Sequence, residues 1–120
     1  MTQTTTFQLK KAINNFGFYC EIKITVTQNV KHLENKLVYN DKIFGDEWKI
    51  PLEFGFLYFF KHLAYLGTGF TITVNDLKTN PVDTKAIVIV YSMFKALCNN
   101  FNIQSDLMEI SETGVFLIKK

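Results

Sequence analysis

Residues able to do chemistry are few in this 120-residue chain, and they are scattered. His32-Leu33-Glu34 matches the H-x-E fragment of zinc deaminases, but the P-C-x-x-C partner that completes such a centre is absent. His62 stands alone on an apolar segment, and the two histidines lack the H-x-x-x-H spacing that directs two imidazoles at one metal. Cys20 and Cys98 have no C-x-x-C spacing and fall on apolar segments, so they read as reduced core thiols. Ser92, Ser105 and Ser111 have neither a neighbouring base nor a nucleophile elbow. Gly67-Thr68-Gly69 is too short to cradle a phosphate and reads as a helix-to-strand turn. Asp76 and Asp83 flank a polar loop and have the chemistry of an acid–base pair. Their local pattern instead makes Asp76 a turn former, and Asp83 or Thr84 the N-cap of a following helix. No catalytic residue, metal, cofactor or nucleotide is expected.

Two features point to binding. Lys10, Lys11, Asn14 and Asn15 lie in one polar stretch, and Lys78, Thr79, Asn80 and Lys85 lie in or beside another. If the two stretches form a shared tip, they offer a weak, salt-sensitive and sequence-blind contact to RNA phosphates; a solvated lysine surface fits equally. All 13 basic residues are lysines, and the absence of arginine's planar fork argues against tight nucleic-acid binding. The second feature is a segment rich in Phe and Tyr. Phe56, Phe59, Phe60 and Tyr65 are expected to pack on a protein partner or a second copy, or else to lie beneath the sheet.

The elements that must position these groups follow from the hydrophobic pattern. A short strand is predicted over Thr4 to Leu9, with Lys10 to Asn15 as a loop. Over Tyr19 to Thr27, Cys20, Ile22, Ile24 and Val26 alternate with Glu21, Lys23, Thr25 and Thr27, the period of a half-buried strand. Lys36 to Asn40 is a third strand, with Leu37 and Tyr39 on one face. Pro51 opens a helix that runs to Leu66 and ends at Gly67, apolar on nearly every side. Phe70 to Asn75 alternates as a fourth strand, and Asp76 to Pro81 is read as a loop that cannot continue it. From Ala86 the chain is β-branched, but the apolar run continues through Cys98, too long for a typical strand, so it is predicted as a buried helix. Leu107 to Ile110 and Val115 to Lys119 flank Ser111-Glu112-Thr113-Gly114 as a hairpin. The order β-β-β-α-β-α-β-β predicts an α+β, two-layer sandwich: a mostly antiparallel sheet with two helices on one face.

Four stretches together resemble domain IV of translation elongation factor G, within the ribosomal protein S-five domain 2-like superfamily. Phe16-Gly17-Phe18-Tyr19-Cys20-Glu21-Ile22 resembles the family's Tyr-Gly-His followed by a strand. Ile43-Phe44-Gly45 and Ile50-Pro51-Leu52-Glu53-Phe54 resemble its Ile-Val-Gly-Gly and Ile-Pro-x-Glu-Tyr helix start. Asp76 with Val82-Asp83-Thr84 resembles its Asp-Gly-Ser-x-His-x-Val-Asp-Ser loop, and the apolar helix after Asp83 resembles its Ala- and Met-rich helix. The resemblance spans roughly Thr6 to Phe101. It implies a left-handed βαβ crossover and a two-loop tip that meets RNA in the ribosome's decoding region. Asn80 stands where the family has its tip histidine, and Lys10 to Asn15 replaces its glycine-rich, basic first loop. The GTP-binding domain and its phosphate loop are missing, so a stand-alone module rather than a GTP-driven translocase is expected.

Bulk properties fit one domain over residues 1–120. Hydrophobic residues make up 48% of the chain, and no apolar run reaches the ~18 residues needed to span a bilayer. The polar N-terminus has no signal-peptide pattern, which places the expected location in the cytoplasm, with no membrane partner.

Overall fold

The structure is a computed structural model, and it describes residues 2–29, 34–40, 46–63 and 69–120. Thr2–Ile13 (β1) and Phe16–Asn29 (β2) form a long antiparallel hairpin, with Leu9 opposite Cys20 and Phe7 opposite Ile22. Gly69–Lys78 (β4) pairs antiparallel with the other edge of β2, and Lys36–Tyr39 (β3) pairs parallel with β4. The sheet order is β1-β2-β4-β3, a mixed rather than a purely antiparallel sheet. Cys20, Ile22, Ile24 and Val26 are all buried, as their alternation requires, and Ile72 and Val74 of β4 join them. The opposite face is polar. Thr4 and Thr25 share a hydrogen bond of 2.9 Å across it, and the Asn75 amide donates to Thr25 Oγ1 at 2.6 Å.

Two helices supply the rest of the core. A short 3-10 turn over Asp46–Trp48 leads into Lys49–His62 (α1), and Ala86–Asn100 forms α2. The β-branched Ile87-Val88-Ile89-Val90 run is helical because α2 packs on β1 and β2 with one side and on α1 with another. Burial on several faces outweighs the small β preference of each residue. Gly55 lets the helices approach, since a Cβ there would lie 2.7 Å from the Val90 carbonyl oxygen. Met108–Ile110 (β5) and Phe116–Ile118 (β6) form a separate two-stranded hairpin. The Tyr58 hydroxyl ties that hairpin to α1 by donating to the Lys119 carbonyl. No described helix is long and apolar enough to cross a membrane.

Four expectations change. Lys10 to Ile13 is strand, and only Asn14 and Asn15 turn, with φ of 50° and 69°. Both sit in the left-handed region, as a two-residue hairpin turn demands, and Asn tolerates it better than most residues. Asp76 to Lys78 continues β4 rather than starting a loop, because the sheet absorbs Asn75 as a bulge between Ile24 and Lys23. Lys85, not Asp83 or Thr84, precedes α2, and no side chain caps that helix. Finally, α1 ends at His62, and the Gly67 cap lies outside the described residues, as do Ile43-Phe44-Gly45, His32 and Tyr65.

Candidate nucleic-acid interface

The β1–β2 hairpin and the loop between β4 and α2 meet at one end of the sheet. In that loop the side-chain oxygen of Asn80 accepts from the backbone N–H groups of Val82 at 2.8 Å and Asp83 at 3.3 Å. That local bond folds Pro81 to Asp83 into a tight turn, a familiar use of an Asn side chain. Thr84 then locks the turn to the sheet. Its hydroxyl donates to the Tyr19 carbonyl at 2.6 Å and accepts from the Asn80 N–H at 2.8 Å. The Tyr19 N–H donates to the Asp83 carbonyl at 3.3 Å. Gly17 allows this contact, because a Cβ there would lie 2.6 Å from the Asp83 carboxylate.

Among the expected tip residues, Lys10, Lys11 and Asn80 line a common open concavity of about 380 Å3, together with Gly17, Tyr19 and Asp83. Neither lysine has an ion-pair partner among the described residues. Asn14 and Asn15 are exposed at the hairpin end, and Thr79 is exposed at the start of the loop. Lys78 is turned away toward Glu21, 3.2 Å distant. Hydrogen bonding to that carboxylate raises the Lys78 pKa and engages its charge. Lys85 is exposed at the start of α2 and does not line the concavity. The sequence argument missed Phe16, which is 61% exposed next to the hairpin turn. The signal was the Asn14-Asn15 pair itself: read as a two-residue turn, it places Phe16 at the free end of the hairpin. Lysines and an exposed aromatic ring at the same end of a hairpin are the ingredients of a single-strand contact, charge for phosphate and a π-face for a base.

The α1 side chains expected to meet a partner are mostly covered. Phe56 and Phe59 are buried at 5% and 1% exposure, and Phe60 packs edge-on against Phe101, so these side chains fill the core. Tyr65 lies outside the described residues. The exposed apolar side chains of α1 are Ile50, Phe54 and Leu57. An evenly apolar helix does not announce which of its faces is covered.

The other described chemistry-bearing groups are buried or bonded locally. Cys20 and Cys98 are free and buried, and burial pushes each thiol up to about 11. His62 bonds the Tyr58 carbonyl at 3.0 Å, one turn back on α1. Asp76 accepts from its neighbour's N–H, Leu77, at 2.9 Å, and no metal-binding group of His, Cys, Asp and Glu gathers among the described residues.

This arrangement defines an α+β domain with a mixed four-stranded sheet, two helices and a two-loop tip. No family model matches the chain, and no curated protein does. Among solved structures it is similar to the crystal structure of ttk003000868 from Thermus thermophilus, with a TM-score of 0.63 at 16% identity. The match covers 79% of this chain but only 15% of the Thermus protein, so the likeness is one of fold, to a small part of a longer molecule.

Proposed function

We propose that the chain is an elongation factor G domain IV-like module of the ribosomal protein S-five domain 2-like superfamily. In this reading it contacts RNA weakly through its tip and carries out no catalysis. The observation that carries this proposal is the meeting of Lys10, Lys11 and Asn80 in one concavity at the end of the hairpin where Phe16 is also exposed. The order of the resembling stretches along the chain supports it. Ribosomal or other structured RNA with accessible single strands is the matching ligand, because charge and stacking are both indifferent to sequence.

Fluorescence anisotropy with a labelled single-stranded RNA, and co-sedimentation with ribosomes, test the proposal. Binding is expected at low salt and lost at high salt. The double variant Lys10→Glu/Lys11→Glu should flatten the salt dependence by about 1.4 logarithmic units per decade, two phosphate contacts at ~0.7 each. Phe16→Ala should weaken binding without changing that slope. No binding at low salt, or binding indifferent to these three residues, overturns it.

A further inference from the structure

The outward side of α1 carries a signal independent of the tip. Ile50 is 79% exposed, Phe54 51% and Leu57 54%. Their spacing places them on one line along the helix, with exposed Glu53 and Lys61 beside it. Next to this line runs an open groove of about 660 Å3 between α1 and β6, floored by Phe54, Leu57, Tyr58 and Ile118. Its rim is basic, with Lys61 and Lys119.

We propose that α1 of a second copy covers this surface, antiparallel to the first, about a two-fold axis beside Leu57. The charges select this occupant. Glu53 precedes Leu57 by the same interval at which Lys61 follows it. An axis at Leu57 therefore sets each Glu53 against the second copy's Lys61, twice per dimer. Parallel pairing would set Glu53 against Glu53 and Lys61 against Lys61. Neither residue has an ion-pair partner among the described residues, so both charges are available. The same operation brings Leu57 onto its own copy and carries Phe54 toward Lys61, at the groove's mouth. A contact in which each side presents the same patch closes on itself and forms a dimer, not a filament. Three apolar side chains and one groove are modest beside the ~800 Å2 per partner of a standard interface, so the dimer is reversible and concentration-dependent.

Sedimentation equilibrium on the full chain tests this, with charge reversal as the probe. Glu53→Lys alone and Lys61→Glu alone should each weaken dimerisation about tenfold, through two lost pairs and two new repulsions. Glu53→Lys combined with Lys61→Glu restores the pairing in reverse and should return the dimer to within about threefold of the original. Leu57→Asp should abolish it, with circular dichroism and the urea midpoint unchanged because the position is exposed. A protein that stays monomeric at high concentration overturns the proposal. So does a dimer that the double reversal fails to rescue.

Discussion

Replacing Thr84 with valine removes one oxygen and leaves the side-chain shape nearly unchanged. Thr84 is only 6% exposed, and its hydroxyl bridges the Tyr19 carbonyl at 2.6 Å and the Asn80 N–H at 2.8 Å. Valine keeps the packing and leaves both backbone groups without that partner. Each bond contributes about 0.5–1.5 kcal/mol net, and a buried group left unpaired costs about 1–3 kcal/mol. Tyr19 and Asn80 are half-buried, so water replaces part of what is lost. The expected destabilisation is about 2–3 kcal/mol, which for a domain of this size lowers Tm by roughly 10 °C. Urea unfolding followed by Trp48 fluorescence and far-UV circular dichroism measures it. Thr84→Ser is the control: it keeps the hydroxyl and loses one methyl, at about 1 kcal/mol. Valine should therefore fall at least about 1 kcal/mol below serine. RNA affinity should fall with it although no charge has changed, because the loop carrying Asn80 then keeps only one of its two bonds to Tyr19, the Tyr19 N–H to the Asp83 carbonyl. A valine variant as stable as the serine variant refutes the claim that this hydroxyl joins the two halves of the tip.

Gly55→Ala should destabilise by about 1–2 kcal/mol. The ~1 kcal/mol gained in helix propensity is outweighed by forcing a methyl to 2.7 Å from the Val90 carbonyl oxygen, and a stabilised variant in urea would refute the close approach. Burial holds Cys20 and Cys98 protonated up to about 11, whereas unfolded thiols ionise near pH ~8.5. The native state then binds more protons, so stability should be level below about pH 8 and fall as pH rises from there. Urea midpoints across that range test this, and the combined Cys20→Ala and Cys98→Ala variant should flatten the profile. Asp83→Asn removes the carboxylate from the concavity of Lys10 and Lys11, and should tighten RNA binding about two- to fivefold at low salt, the gain vanishing at high salt.

Strict alternation from Cys20 to Val26 determined by itself which face of β2 is buried, because a strand admits only two faces and polar residues occupy one of them. The length of the apolar run from Ala86 likewise overrode its β-branched composition. Other features waited on partners distant in the chain. Asp76 to Lys78 reads as loop locally, yet the free edge of β2 recruits it as strand and expels Asn75 as a bulge. Thr84 has the chemistry of a helix cap, but a carbonyl sixty-five residues away accepts its hydroxyl instead. The α1 helix shows the limit most plainly. With apolar residues on nearly all sides, its sequence has no period to say that Phe56 and Phe59 face the core while Phe54 and Leu57 face outward. The position of α2 decides that, at the point where Gly55 brings the two backbones together. Local pattern fixes an element's type because its period is written in neighbouring residues. The covered faces, and the residues that meet at a site, are set by contacts between segments far apart in the chain.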